Sequence, residues 1–329
     1  MNTAENLILK VSKEENAQYT SIGEALAHIP ADCDKPVTIE IAPGEYREKL
    51  RVSRPFVTLK GENAANTVIV YDDRATAIMP DGSKRGTFRS YTLLLEEHDI
   101  TLLDLTVRND SGPRSRAGQA LALYADGDRI LVKNCRLESY QDTLFTGPLP
   151  PAPLSQGGFT GPREFAPRIN GRQLYENCCI CGDVDFIFGS ATAYFDHCEI
   201  ASVYSEIPRD PSVYGYVTAA STPEGQTYGY VFHNCNFTST CPESSVYLGR
   251  PWRNFAKTVL LDCTLGSHIK PQGFHDWNKP EAHSTVLYAE YNSTGKGAHS
   301  EERAPFVKQL SEEEALFYSK SNVLGDWEV

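Results

Sequence analysis

The chain has 329 residues, 40% of them hydrophobic and 22% charged, the balance of an ordinary globular protein and enough for one large all-β domain or two smaller ones. Its formal net charge of −12 argues against nucleic acid as a partner, and against long runs of an anionic polymer unless the polymer's charge is masked. No apolar run approaches the roughly 18 residues a membrane span needs, so no membrane partner is expected.

The start, Met1 to Asn6, has neither the basic residues nor the apolar core of a secretory leader. With the initiating Met this leads to the expectation of a cytoplasmic protein, a secreted mature form being the alternative. Ser21, with Glu24 three residues on, predicts a capped helix over Ile22 to Ile29 that Pro30 ends. Strands are expected next at Val37 to Ile41, Phe56 to Lys60, Thr67 to Val70, Tyr91 to Leu95, Ile100 to Val107, Leu121 to Tyr124 and Ile130 to Val132.

A loose repeat follows. Asn134-Cys135-Arg136-Leu137, Asn177-Cys178-Cys179-Ile180, His197-Cys198-Glu199-Ile200, Asn234-Cys235-Asn236-Phe237 and Asp262-Cys263-Thr264-Leu265 share a polar residue, a cysteine and then an apolar residue two places on. Most intervals are one or two times a coil of roughly 20 to 25 residues, the range of solenoids. A parallel β-helix would stack these cysteines and asparagines in inward ladders, whereas a β-sandwich wants hairpin signals, of which Asn170-Gly171 is the strong one. Nine cysteines is an odd count, and none falls at a zinc-like spacing, so buried reduced thiols are expected, with no metal and no cofactor. Reduced thiols agree with a cytoplasmic home.

The segment from Gly147 to Gly171 holds six prolines and a Gly157-Gly158 pair, which cannot form a strand ladder. It reads as an excursion from the coil that begins two residues beyond Phe145 and overhangs whatever site lies there. Beyond it, Ser311 with Glu314 predicts a capped C-terminal helix that closes or flanks the solenoid.

Two acids stand in apolar surroundings: Asp185 in Val184-Asp185-Phe186-Ile187-Phe188, and Asp142 in Gln141-Asp142-Thr143-Leu144-Phe145. A buried carboxylate needs a cation or a chemical task. Neither has the Gly, Asn or Pro neighbours of a turn, so Asp185 reads as a strand residue facing inward or into a groove. If one acid is ionised and the other protonated, they divide into nucleophile and general acid. Arg250, in Leu248-Gly249-Arg250-Pro251-Trp252, is the natural partner of the ionised one, or else half of a structural ion pair at a turn. Gln141 and Gln119 are suited to donate N–H groups to an oxyanion, or to form a solenoid amide ladder. Trp252, Phe145, Phe186 and Phe188 supply flat faces for sugar stacking or for a core. No Gly-x-Ser-x-Gly, P-loop or dinucleotide motif is present.

With these residues the chain resembles the pectin methylesterases, carbohydrate esterases that demethylate polygalacturonate. Matching segments run in order over nearly the whole chain: Gly44 to Glu48, Gly118-Gln119-Ala120-Leu121, Gln141 to Phe145, Gly182 to Gly189, Leu248 to Trp252, and Tyr288 to Tyr291. The resemblance implies an all-β, right-handed parallel β-helix over residues 1–329, with a short N-terminal helix, a C-terminal helical tail and the excursion at 147–171. It implies Asp185 as nucleophile, Asp142 as general acid and then base, Gln119 and Gln141 as the oxyanion site, and Arg250 as the holder of Asp185. Trp252, Phe188, Phe145 and Val184 would line the sugar groove. The expected substrate is methylated polygalacturonate or its oligomers, short imported ones above all, acted on by a monomer. Asp183 stands where relatives often carry an uncharged residue. The rival readings are a β-helix lyase or glycosidase on the same polymer, and a non-catalytic sugar-binding solenoid.

Overall fold

A computed structural model describes residues 6–30, 33 and 35–327. Met1 to Glu5, most of the segment read above for a leader, lie outside the described residues. The chain winds through three parallel sheets of eleven, eight and seven strands. Each coil runs from the eleven-stranded sheet to the eight-stranded one, then to the seven-stranded one, and back to the next strand of the first. Neighbours in every sheet are therefore successive coils, and the result is a parallel β-helix. Inward side chains of all three sheets, such as Ile39, Leu102, Val107, Leu137, Leu144, Phe195 and Leu265, fill one continuous core.

The stretch Ile100 to Val107, expected as one strand, is two: Thr101–Leu103 and Thr106–Asn109. Between them Asp104 has φ +55°, and the chain turns there from one sheet to the next. The same corner recurs at Asn134, Asn177, His197, Asn234 and Asp262, all with φ between 52° and 54°. Asn and Asp tolerate the left-handed region better than other side-chain-bearing residues, which explains the polar residue of the repeat. It sits at a solvated corner, so the asparagines form no inward ladder. Pairwise bonds exist locally, as from Asn134 Nδ2 to Asp104 at 2.9 Å.

The cysteines do stack. Register places Cys135, Cys178, Cys198, Cys235 and Cys263 at one position of successive coils, each at most 2% exposed. The thiols of Cys178, Cys198 and Cys235 donate to Val132, Tyr175 and Phe195 carbonyls of the preceding coil at 3.2–3.4 Å. Burial pushes the Cys135 thiol up to about 12, which keeps it an inert filler.

Helices cover one end of the solenoid and one of its flanks. The helix Ile22–Ala27 is capped by Ser21 as expected and stops before Pro30. Glu48 adds its carboxylate to the Ile22 and Gly23 N–H groups at 3.0 and 2.8 Å, a favourable charge at a helix start. Ile22 and Ala25 pack into the bore. The tail forms two helices, Glu312–Leu316, with a complete Ser311/Glu314 capping box, and Lys320–Leu324. They flank the solenoid: Ala315, Tyr318, Val323 and Leu324 cover Leu174, Tyr194, Val231 and Val259 on the outer face of the eleven-stranded sheet.

Candidate active site

Pairing fixes the positions of the acids. Leu144 pairs with Ile187 and Phe145 with Phe188 on neighbouring strands of the seven-stranded sheet. Two residues earlier, the same register sets Asp142 beside Asp185, on coils stacked roughly 4.8 Å apart. The Asp142 N–H donates to the Val184 carbonyl at 3.1 Å, and Ala120 N–H to Gln141 O at 3.1 Å, which stacks the Gln119, Gln141 and Asp185 coils. Both acids have left-handed backbones, φ +65° at Asp142 and +51° at Asp185. Asp142, which lacks the Gly, Asn or Pro neighbours expected of a turn, nevertheless occupies one, just before Leu144–Thr146. Asp185 does lie in a strand, Val184–Gly189, but at a bulge where the register to the next strand shifts between Val184 and Ile187. Such bulges re-aim a side chain, and here the carboxylate leaves the core side and enters a cleft. Gly182 permits the close packing behind it, since a Cβ there would meet the Tyr140 carbonyl at 2.5 Å.

Arg250 follows the last strand of the sheet, Val246–Gly249. Its Nε and Nη2 donate to the two Asp185 oxygens at 2.8 and 2.6 Å. The guanidinium carbon lies 3.8 Å from the ring centres of both Tyr216 and Trp277, so the fork is held between two aromatic planes. Lys279 Nζ bonds the Pro251 and Trp252 carbonyls at 2.8 and 3.2 Å and fixes the turn.

Burial and the neighbouring Asp185 charge push the Asp142 carboxyl well above the usual carboxylate range, with Asp183 adding to the rise and Arg250 opposing it. Asp142 therefore favours the protonated form. Asp183 is buried too, and burial raises it. Its oxygens accept from the Val184 N–H and the Ser205 hydroxyl, both at 2.6 Å.

The acids open into a cleft of about 270 Å³ lined by Gln119, Gln141, Asp142, Asp185, Arg250, Phe188 and Trp252. All seven were singled out in the sequence. Phe145 and Val184, expected on the groove, do not line it. Phe145 is 0% exposed beneath Phe88, and Val184 lies buried behind the acids. Phe88, Phe159, Ala219 and Trp277 also line the cleft and were missed. Trp277 had a signal, being one of three tryptophans in the chain, but nothing local ties it to Arg250. Among the described residues no three His, Cys, Asp or Glu side chains converge as metal ligands.

The Pectinesterase family profile matches residues 8–148 and 168–326. Pectinesterase 2 of Olea europaea is 33% identical over 94% of this chain and 76% of its own length. Pectin methylesterase PemA from Erwinia chrysanthemi superimposes with a TM-score of 0.79 at 32% identity, covering 97% of each chain. A pectin methylesterase solved in complex with a hexasaccharide gives 0.79 at 31% identity, again covering 97% of each.

Proposed function

The chain belongs to the pectinesterase family and is a carboxylic ester hydrolase, and we propose that Asp185 and Asp142 carry the demethylation of galacturonate esters in pectin or its oligomers. The observation that carries this reading is the asymmetry of the pair. Register sets the two acids side by side; Arg250 holds Asp185 in a two-bonded fork, and burial beside that charge keeps a proton on Asp142. That is the division into nucleophile and acid that ester cleavage needs.

A carboxylate oxygen of Asp185 attacks the C6 ester carbon, and the carbonyl oxygen takes the negative charge. Gln119 and Gln141, at the cleft wall, donate to that oxyanion. Collapse breaks the bond to the methoxy oxygen, which leaves as methanol with the Asp142 proton. A mixed anhydride between Asp185 and the sugar carboxyl remains. Asp142, now a carboxylate, takes a proton from water, and the resulting hydroxide attacks the sugar carbonyl of the anhydride and releases Asp185. Trp252 and Phe188 offer flat faces to the sugar. Masked charge on the methylated polymer suits the net charge of −12. The stacked free thiols support a reducing, cytoplasmic setting for this chemistry.

Methylated oligogalacturonates incubated with the protein test the reading. Methanol release without new reducing ends or unsaturated product is expected. Unsaturated product would mean a lyase, new reducing ends a glycosidase, and binding without turnover a non-catalytic solenoid.

A further inference from the structure

The outer face of the seven-stranded sheet is the floor of the cleft, and half of it is roofed over. Register aligns Leu94, Tyr124, Phe145, Phe188 and Ala219 in one outward row, with Arg250 at its end. Leu94, Tyr124 and Phe145 are each 0% exposed, whereas Phe188, beside the two acids, lines the cleft. The cover comes from both walls. Phe88 and Tyr91 arrive from the connection before the sheet, and Leu149 and Phe159 from the Pro/Gly-rich excursion after it. Phe88 rests on Phe145 and Tyr124 at ring-centre distances of 5.1 and 5.8 Å, and meets Phe159 at 5.7 Å.

The excursion crosses the floor and is pinned there. Arg163 Nε donates to Asp126 at 2.6 Å on its own side, and Arg253 Nη2 to the Ala152 carbonyl at 2.9 Å beside Trp252. On the far side Gly161 lies so close to Phe88 that a Cβ would come within 2.9 Å of its backbone oxygen. Phe159 also faces Trp252 at 6.2 Å. Leu154, Ser155, Gly158 and Phe159 are themselves cleft lining. Leu149 to Arg163 of this cover fall in the stretch between the two segments that match the family profile.

Resting on the esterase reading above, we infer that the roof makes the cleft a blind one, so that the enzyme demethylates at or next to one end of a galacturonate chain and favours short oligomers over polymer. Toward Arg250 the remaining members of the row, Phe188, Ala219 and Arg250, all line the cleft. In the other direction a sugar over Asp185 meets Phe88, Phe159 and Gly158 at once.

The test uses the full chain and fully methylated hexagalacturonate labelled with oxygen-18 at its reducing end. Free carboxyls are located by tandem mass spectrometry at low conversion. The end-most residue or two at one terminus should be favoured by about tenfold over internal positions. Even demethylation along the hexamer would overturn the inference while leaving the esterase reading intact. No methanol from either hexamer or pectin would overturn the esterase reading and this one with it. Two variants add a gain-of-access arm: Phe159→Ala, and replacement of residues 149–167 by a short Gly/Ser link. Each should raise the internal share and the rate on long pectin relative to hexamer. If the replacement fails to fold, the wild-type pattern and Phe159→Ala decide. An unchanged pattern in folded, active Phe159→Ala would overturn the assignment of the block to this roof.

Discussion

Lysine at position 250 would keep a positive charge beside Asp185 and lose the geometry that holds it. Arg250 makes two bonds to the carboxylate, at 2.8 and 2.6 Å, with side chains only 16% and 9% exposed, so little water substitutes for either. An ammonium replaces one bond and cannot lie flat between Tyr216 and Trp277. A hydrogen bond to a charged group contributes about 1.5–3 kcal/mol. At 1.36 kcal/mol per decade, Arg250→Lys should lower kcat by about 10- to 150-fold. KM should change little, because the fork acts on the nucleophile and not on the sugar. Arg250→Ala removes both bonds and leaves a buried carboxylate without its partner, so its stability should fall by up to about 3–5 kcal/mol. Methanol release and thermal denaturation of both variants measure all of this. An unchanged kcat in folded Arg250→Lys would show that Arg250 only braces the fold.

Asp185→Asn should abolish methanol release while preserving the fold and oligosaccharide binding, since an amide cannot attack as a carboxylate does; residual turnover above a few per cent would remove Asp185 from the nucleophile role. Asp142→Asn should cost about 10²- to 10⁴-fold on methyl esters and less on esters with better leaving groups, and equal losses on both would deny it the leaving-group proton. The same variant should be the more thermostable at neutral pH, because a carboxyl whose folded pKa is raised loses folding stability as pH climbs from its unfolded pKa of about 3.9 through the raised value, whereas Asn does not titrate; a gain that persists well below pH ~3.9 would contradict that cause. Asp183 adds to the rise at Asp142, so Asp183→Asn should shift the alkaline limb of kcat, where the acid loses its proton, toward lower pH, and an unmoved limb would refute the coupling.

Much of the arrangement was legible because a solenoid writes its geometry into spacing. The polar–cysteine repeat marked a corner and an inward column, and the cysteines stack as read. What misled was the conformation of the polar partner: side-chain type alone reads Asn as a ladder former, while its tolerance of positive φ placed it at the turn. Ile100 to Val107 looked continuous for the same reason, since Asp104 breaks the strand by φ and not by a Gly or Pro. Phe145 and Phe188 occupy equivalent positions in neighbouring strands, so sequence gave no ground for calling one exposed and the other covered. The difference is made by Phe88 and Phe159, which come from distant connections. Tyr216 and Trp277 escaped because their role is to sandwich a guanidinium, a contact that exists only once three coils are stacked.

The acids obey the same corner chemistry as the cysteine repeat. At the turn between the eleven- and eight-stranded sheets, Asp104, Asn134, Asn177 and their successors adopt φ near +50° and face water. At the entry to the seven-stranded sheet, Asp142 in its turn and Asp185 in its bulge adopt the same left-handed backbone, and each is at most 7% exposed. A short side chain that tolerates this region is needed in both places, and aspartate is the one such residue that is also a carboxylic acid. Glutamate would meet a less favourable backbone and carry its oxygens one methylene further out, past the fork of Arg250. The choice of two aspartates thus follows from where the β-helix bends into this sheet, and their surroundings set them apart: a guanidinium fork holds Asp185, while burial and a neighbouring negative charge raise the Asp142 carboxyl.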